Sequence, residues 1–167
     1  MSNENSFLEQ GYEVPKEKKY MKFQDGENTF RIISKPIIGW LDWKDKKPLR
    51  FKMTEMPKSS IDPSKPIKHF WAVTVWNYKE ELVQVLELTQ KSIQTYITAL
   101  SKNPKWGSPL GYDLVITRKG SGMETEYTCI AEPPSVLSQT VKDAIIDFGK
   151  VDLEQLFIGG DPFNPTK

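Results

Sequence analysis

Between residues 40 and 78 the chain carries Trp40, Trp43, Phe51, Phe70, Trp71, Trp76 and Tyr78 among Lys44, Lys46, Lys47, Arg50, Lys52, Lys58, Lys65 and Lys68. From 44 to 68, eight Lys and Arg stand against Asp45, Glu55 and Asp62, a local excess of five positive charges. Rings interleaved with cations suit one chemistry in particular. Unpaired bases stack on the ring faces while ammonium and guanidinium groups pair with phosphates. Any single ring has a plainer role open to it, as a core residue of a β protein. The combination, and its place along the chain, is what points to a nucleic acid. Lys47, Arg50, Lys52 and Lys68 are the candidate phosphate contacts, joined by Arg118 and Lys119 in a later turn. Trp76 and Tyr78 are the first candidates for stacking, followed by Phe70, Trp40 and Trp43.

Other chemistry finds little support. His69 is the sole histidine and Cys129 the sole cysteine. A catalytic triad needs an imidazole beside a nucleophile, and no such pairing is visible. His69 reads as a hydrogen-bonded strand residue and Cys129 as a small buried hydrophobe. Gly120-Ser121-Gly122 is too short for a phosphate-binding loop, and no Gly-Lys-Ser/Thr follows it. Asp42, Asp45, Glu87 and Asp113 are dispersed, without the spacing of a metal-assisted nuclease. The chain reads as a binding protein and not an enzyme, with no metal and no cofactor.

The elements that would position the rings follow from patterning. Residues 1–19 are polar, with little periodicity, and read as a flexible arm. Asp25-Gly26-Glu27-Asn28 is a turn signal. The β-branched and aromatic stretch 29–43 reads as one strand in two halves, interrupted by Pro36 and Gly39. Residues 44–67 hold Pro48, Pro57, Pro63 and Pro66 and read mainly as loop, with a short strand at 49–53. A second main strand spans 68–78, with Trp71, Val73 and Val75 on one face and Phe70, Ala72, Thr74, Trp76 and Tyr78 on the other. A third, 81–89, joins it through a turn near Lys79-Glu80 as a hairpin.

Thr89 can cap a helix in which Ile93, Tyr96, Ile97 and Leu100 share a face, ending before Pro104. Strands follow at 112–118 and 124–131, joined by a flexible turn at 119–123. After Pro133-Pro134 two short helices are expected, at 139–148 and 153–157.

The composition is that of a soluble globular chain, with 38% hydrophobic and 27% charged residues among 167. The net charge of +1 hides an asymmetry, because from 120 to 167 eight acids stand against three lysines. One cysteine permits no intrachain disulfide, which suits a reducing compartment. Neither a signal peptide nor an apolar run of membrane-spanning length is present, so a cytoplasmic location is expected.

The order strand, long loop, strand, strand, helix, strand, strand is that of the oligonucleotide-binding (OB) fold. The expected fold is therefore mainly β: a five-stranded OB barrel over 20–134, with a helix between its third and fourth strands. A helical, acidic extension over 135–167 lies outside the barrel. OB folds bind oligonucleotides on the face of strands 2 and 3 and on the loops joining strands 1–2 and 4–5. Here these are 68–89, 44–67 and 118–123, where the rings and cations fall. If Trp71, Val73 and Val75 fill the barrel, then Phe70, Trp76 and Tyr78 must be covered by another element or left for bases. Alternation alone leaves the swapped arrangement open, with Trp71 as the stacking ring.

Several segments also resemble phage single-stranded-DNA-binding proteins. They are Tyr20-Met21-Lys22-Phe23-x-Asp25-Gly26-Glu27-Asn28-x-Phe30-Arg31, Lys35-Pro36-Ile37-Ile38-Gly39-Trp40-x-x-Trp43 and Lys68-His69-Phe70-Trp71-Ala72-x-x-Val75-Trp76-Asn77-Tyr78. Leu86-Glu87-Leu88-Thr89-Gln90, Gly111-Tyr112-Asp113-Leu114 and Arg118-x-Gly120-x-Gly122-x-x-Thr125-x-Tyr127 continue the likeness.

The resemblance implies a sequence-tolerant protein that coats single-stranded DNA during phage replication or recombination in the infected host cell. It departs from the T4 helix-destabilising type, whose zinc site one Cys and one His cannot build. It departs also from proteins with an acidic Asp-Pro-Phe tip, since Gly160-Asp161-Pro162-Phe163 is followed by residues up to Lys167. The C-terminal extension could compete with DNA, or dock a replication protein or a second protomer. An OB-like protein–protein adaptor using the aromatic face, and single-stranded RNA binding, are the alternative functions.

Overall fold

The computed structural model describes residues 7–12 and 18–164. Its elements run β1 (Gly26–Ile32), β2 (Ile37–Lys44), β3 (Lys47–Lys52), β4 (Lys68–Asn77), β5 (Leu82–Leu88), α1 (Lys91–Lys102), β6 (Asp113–Lys119), β7 (Glu126–Ala131) and α2 (Gln139–Phe148). A last 3-10 helix covers Leu153–Ile158. The seven strands form one antiparallel sheet in the order β3-β2-β4-β1-β6-β7, with β5 on the second edge of β4.

β1 and β2 lie end to end along one edge of β4: Ile32 opposes Val75 and Ile37 opposes Ala72. The long strand expected in two halves is thus present, broken at 33–36, where Pro36 has no N–H for the ladder. Thr74 stays paired across the break. Its carbonyl accepts the Ile33 N–H at 2.9 Å and its N–H donates to Ser34 Oγ at 2.8 Å. Gly39, expected as a second interruption, lies inside β2. A Cβ there would stand 2.1 Å from the Phe51 carbonyl oxygen, so only hydrogen fits beneath β3.

The basic stretch after Lys44 is more ordered than its prolines suggested. Asp45 and Lys46, with φ of 50° and 65°, form a two-residue hairpin turn, and Lys44 opposes Lys47. Asp-Lys is not a usual sequence for such a turn, which is why β3 read only as a short strand within a loop. α1 starts without the Thr89 cap. Gln90 occupies the N-cap position and no side chain bonds there. Ile93, Ile97 and Leu100 are buried as expected, and the helix ends at Lys102, two residues before Pro104.

The main core lies between the sheet's inner face and α1. It gathers Phe30, Ile32, Val73, Val75, Leu86, Leu88, Ile93, Ile97, Tyr112, Leu114 and Ile116. Tyr112, just before β6, and Leu114 and Ile116 within it face this core.

The sheet does not close into the expected five-stranded barrel. Among the described residues β7 pairs with β6 alone, and the free edge of β5 is taken by the chain before β1. Met21 N–H donates to Val85 O and Val85 N–H to Lys19 O, both at 2.9 Å. This segment then crosses to the far side, where Arg118 Nη1 donates to Phe23 O at 3.2 Å and the Phe23 and Tyr127 rings lie 5.9 Å apart. A plug of chain therefore fills the seam where β5 and β7 would meet. Of the arm expected over 1–19, residues 1–6 and 13–17 lie outside the described residues, while Lys19 belongs to this plug.

Beyond Pro134 the chain packs back on the sheet. α2 covers the span expected for it and passes over β5. A second core forms on the outer face, joining Leu41, Phe70, Ala72 and Val85 to Leu153 and Leu156, with Trp43, Phe157 and Phe163 packed around them.

Candidate nucleic-acid interface

β4 is the spine of the candidate site, because its two faces carry most of the rings. Val73 and Val75 point into the main core, with Trp71 packed at its border. The opposite face is covered, the first of the two options that alternation left open. Phe70 is fully buried, with the Phe157 ring 6.1 Å from its own, and Trp76 is 6% exposed. Neither ring, expected to be free for bases, is accessible in this structure. For Phe70 the reason is the outer core, whose apolar residues lie in a C-terminal segment that sequence alone did not connect to this face.

Tyr78 is also engaged. Its hydroxyl donates to Asp113 Oδ1 at 2.7 Å, and burial first, then this bond, pushes its pKa up to about 12. The same carboxylate oxygen accepts Arg31 Nε at 2.7 Å. Arg31 is buried, and its remaining donors reach Leu110 O, Ser135 O and Ser135 Oγ. A buried guanidinium needs this full set of acceptors. The set pins the start of the C-terminal segment to β1 and β6. Sequence reading missed Arg31, whose position on the covered face marks it only once that cover is known.

The cations divide in two. Arg50 Nε donates to Glu87 Oε2 at 2.7 Å and its guanidinium lies 5.9 Å from the Phe70 ring centre, so it is spent on the outer core's edge. Arg118 is half-buried, and among the described residues its Nε has no hydrogen-bond partner. Lys47, Lys52, Lys68 and Lys119 are exposed. Lys44, Lys46 and Lys58 are exposed beside them, and among the described residues none of these seven ammonium groups forms an ion pair. Trp43 is half-buried, with Lys65 Nζ 5.3 Å from its ring centre.

Trp40 belongs to a different group. In the ladder it opposes Phe51 on β3 and His69 on β4, so the three rings share one face. The Trp40 and His69 rings lie 5.1 Å apart, and Trp40 Nε1 donates to Met53 O at 3.1 Å. His69 Nδ1 donates to Gly39 O at 2.8 Å, the hydrogen-bonded strand histidine that was expected. Phe51, Trp40, His69 and Trp71 are each half-buried, and Ile38 beside them is 42% exposed. Trp40, opposite His69, is separated from Tyr78 by most of β4, about 30 Å at the usual strand rise. Trp40 and Tyr78 therefore do not form one stacking surface. Phe51, His69 and Trp71 could have been grouped with Trp40 only from the strand register, which a single sequence does not print.

Burial pushes the Cys129 thiol up to about 12, which leaves it a poor nucleophile at neutral pH. Among the described residues no group of three His, Cys, Asp or Glu could hold a metal ion, and no helix is long and apolar enough to cross a membrane. Comparison with models of known families, with curated proteins and with solved structures finds no match for this chain.

Proposed function

We propose that this protein binds single-stranded DNA with little sequence preference, on an open variant of the five-stranded OB barrel. It acts by coating and not by catalysis. The observation that carries this reading is the β2–β3 region. Lys44, Lys46, Lys47, Lys52, Lys58 and Lys68 stand exposed in and around it, without an ion pair among the described residues, and the half-buried ring of Trp40 lies on β2. Mobile ammonium groups satisfy phosphates without reading sequence, and ring faces accept any base. The order of strands and helix supports the OB assignment, with β1 and β2 together as its first strand. The resemblance to phage single-stranded-DNA-binding proteins supports a role in phage replication or recombination.

The test is quenching of tryptophan fluorescence by dT, rU and duplex oligonucleotides of equal length at two salt concentrations. Tighter binding of dT than of duplex, weakening as salt rises through counterion release, is expected. Duplex binding as tight as dT at matched salt would sink the single-strand reading. Tighter rU than dT would move the function to RNA, and no binding at low salt would leave the adaptor reading.

A further inference from the structure

Trp71 stands between two open hollows that flank α1, of about 240 and 500 Å³. The first is lined by Lys35, Ser101 and Ser108 beside apolar residues, the second by His69, Lys91, Thr98 and Lys102. Trp71 lines both, so the two hollows, taken together as a track beside the helix, share this indole. His69 extends it to the ring of Trp40, 5.1 Å away.

The charge of this track is one-sided. Among the described residues three lysines and a histidine line it, and no carboxylate does. α1 itself contains no acid, whereas the hollows elsewhere on the surface around Glu27 and Glu80, and around Glu87, are of mixed sign. Hydroxyls, ammonium groups and a half-buried indole are complementary to a polyanion carrying flat bases. Elimination points the same way. Trp76 is buried, Trp43 packs into the outer core, and Trp106 packs edge-on against Tyr112. Of the five tryptophans, Trp40 and Trp71, both half-buried, are the two left beside these hollows.

We propose that this track beside α1 is where a single strand lies, with Trp71 stacking a base and Lys35, Lys91 and Lys102 contacting phosphates. The proposal rests on the single-strand-binding reading and assigns it a surface different from the covered outer face of β4 and β5.

The test uses the full chain and a dT oligonucleotide. Lys91→Ala with Lys102→Ala removes two exposed ammonium groups from α1 and leaves its core face untouched. This double variant should bind dT at least tenfold more weakly, with a log–log salt slope shallower by about 1.4. Trp71→Leu, which keeps apolar volume but no ring, should lose roughly 5- to 150-fold in affinity. Circular dichroism checks both folds, and the lysine variant decides the matter should Trp71→Leu unfold. Wild-type binding with the double variant unchanged in affinity and slope would overturn the track and leave single-strand binding intact. A wild-type protein that binds no oligonucleotide overturns the reading and the track together.

Discussion

Trp76 and Trp40 differ in what their removal should cost. Trp76 lies between Arg31 and Val83 in the ladder and is 6% exposed, so its side chain serves packing. Trp76→Ala should lower stability by about 3–5 kcal/mol, with dT affinity of the folded fraction unchanged. Trp40 is half-buried, and its neighbours His69 and Phe51 are rings that remain when it is truncated. Trp40→Ala should cost about 1–3 kcal/mol of dT binding with the fold intact. Denaturant unfolding and fluorescence titration on the two variants separate these outcomes. A stable Trp76→Ala that binds weakly would return stacking to the outer face.

At the scale of elements, the last turn of the C-terminal segment is held to the seam plug by a carboxylate. Asp161 accepts the Phe163 N–H at 3.0 Å and pairs with Lys19 Nζ at 3.0 Å. The Phe163 bond first, then Lys19, holds its pKa below the ordinary 3.8. A carboxyl depressed in the folded state stabilises fully above its unfolded value, and that contribution is lost as pH falls through the folded one. Asp161→Asn should therefore be less stable than wild type at neutral pH, with the difference closing below pH 3.8. Unfolding curves of the two proteins across the acid range check the sign. Glu80, held low by Lys18, and Asp62, held low by Ser64, titrate in the same direction in both proteins and cancel in the comparison. A difference that persists unchanged to pH 2 would show that Asp161 acts through its turn and not through its charge.

For the whole molecule, the two cores divide the chain. The main core draws on residues between Met21 and Ala131, and the outer one joins the sheet to residues after Pro134. A chain ending at Pro134 should keep the main core and fold. It should have a lower Tm, and it should expose Phe70, Ala72 and Val85 as an apolar face. Its dT affinity should equal or exceed that of the full chain, since no described residue after Pro134 lines the α1 track. Circular dichroism, thermal unfolding and titration of the truncated protein test this. A truncated chain without native far-UV signal would mean that the outer core is needed to complete the fold.

Much of this was legible in the amino-acid order because it is local. Alternation along β4 and β6, the turn after Tyr78, the stop before Pro104 and the span of α2 each follow from neighbours a few residues apart. The closed barrel was not there to be read. Its absence depends on Lys19 and Met21 reaching the edge of β5, a pairing between segments more than sixty residues apart. The cover over the outer face of β4 had the same standing. Phe70 and Trp71 are adjacent and equally apolar, and either face could have been inside. Leu153, Leu156 and Phe157 decided it by burying Phe70, because an apolar 3-10 helix must cover an apolar face somewhere, and only the folded chain shows which.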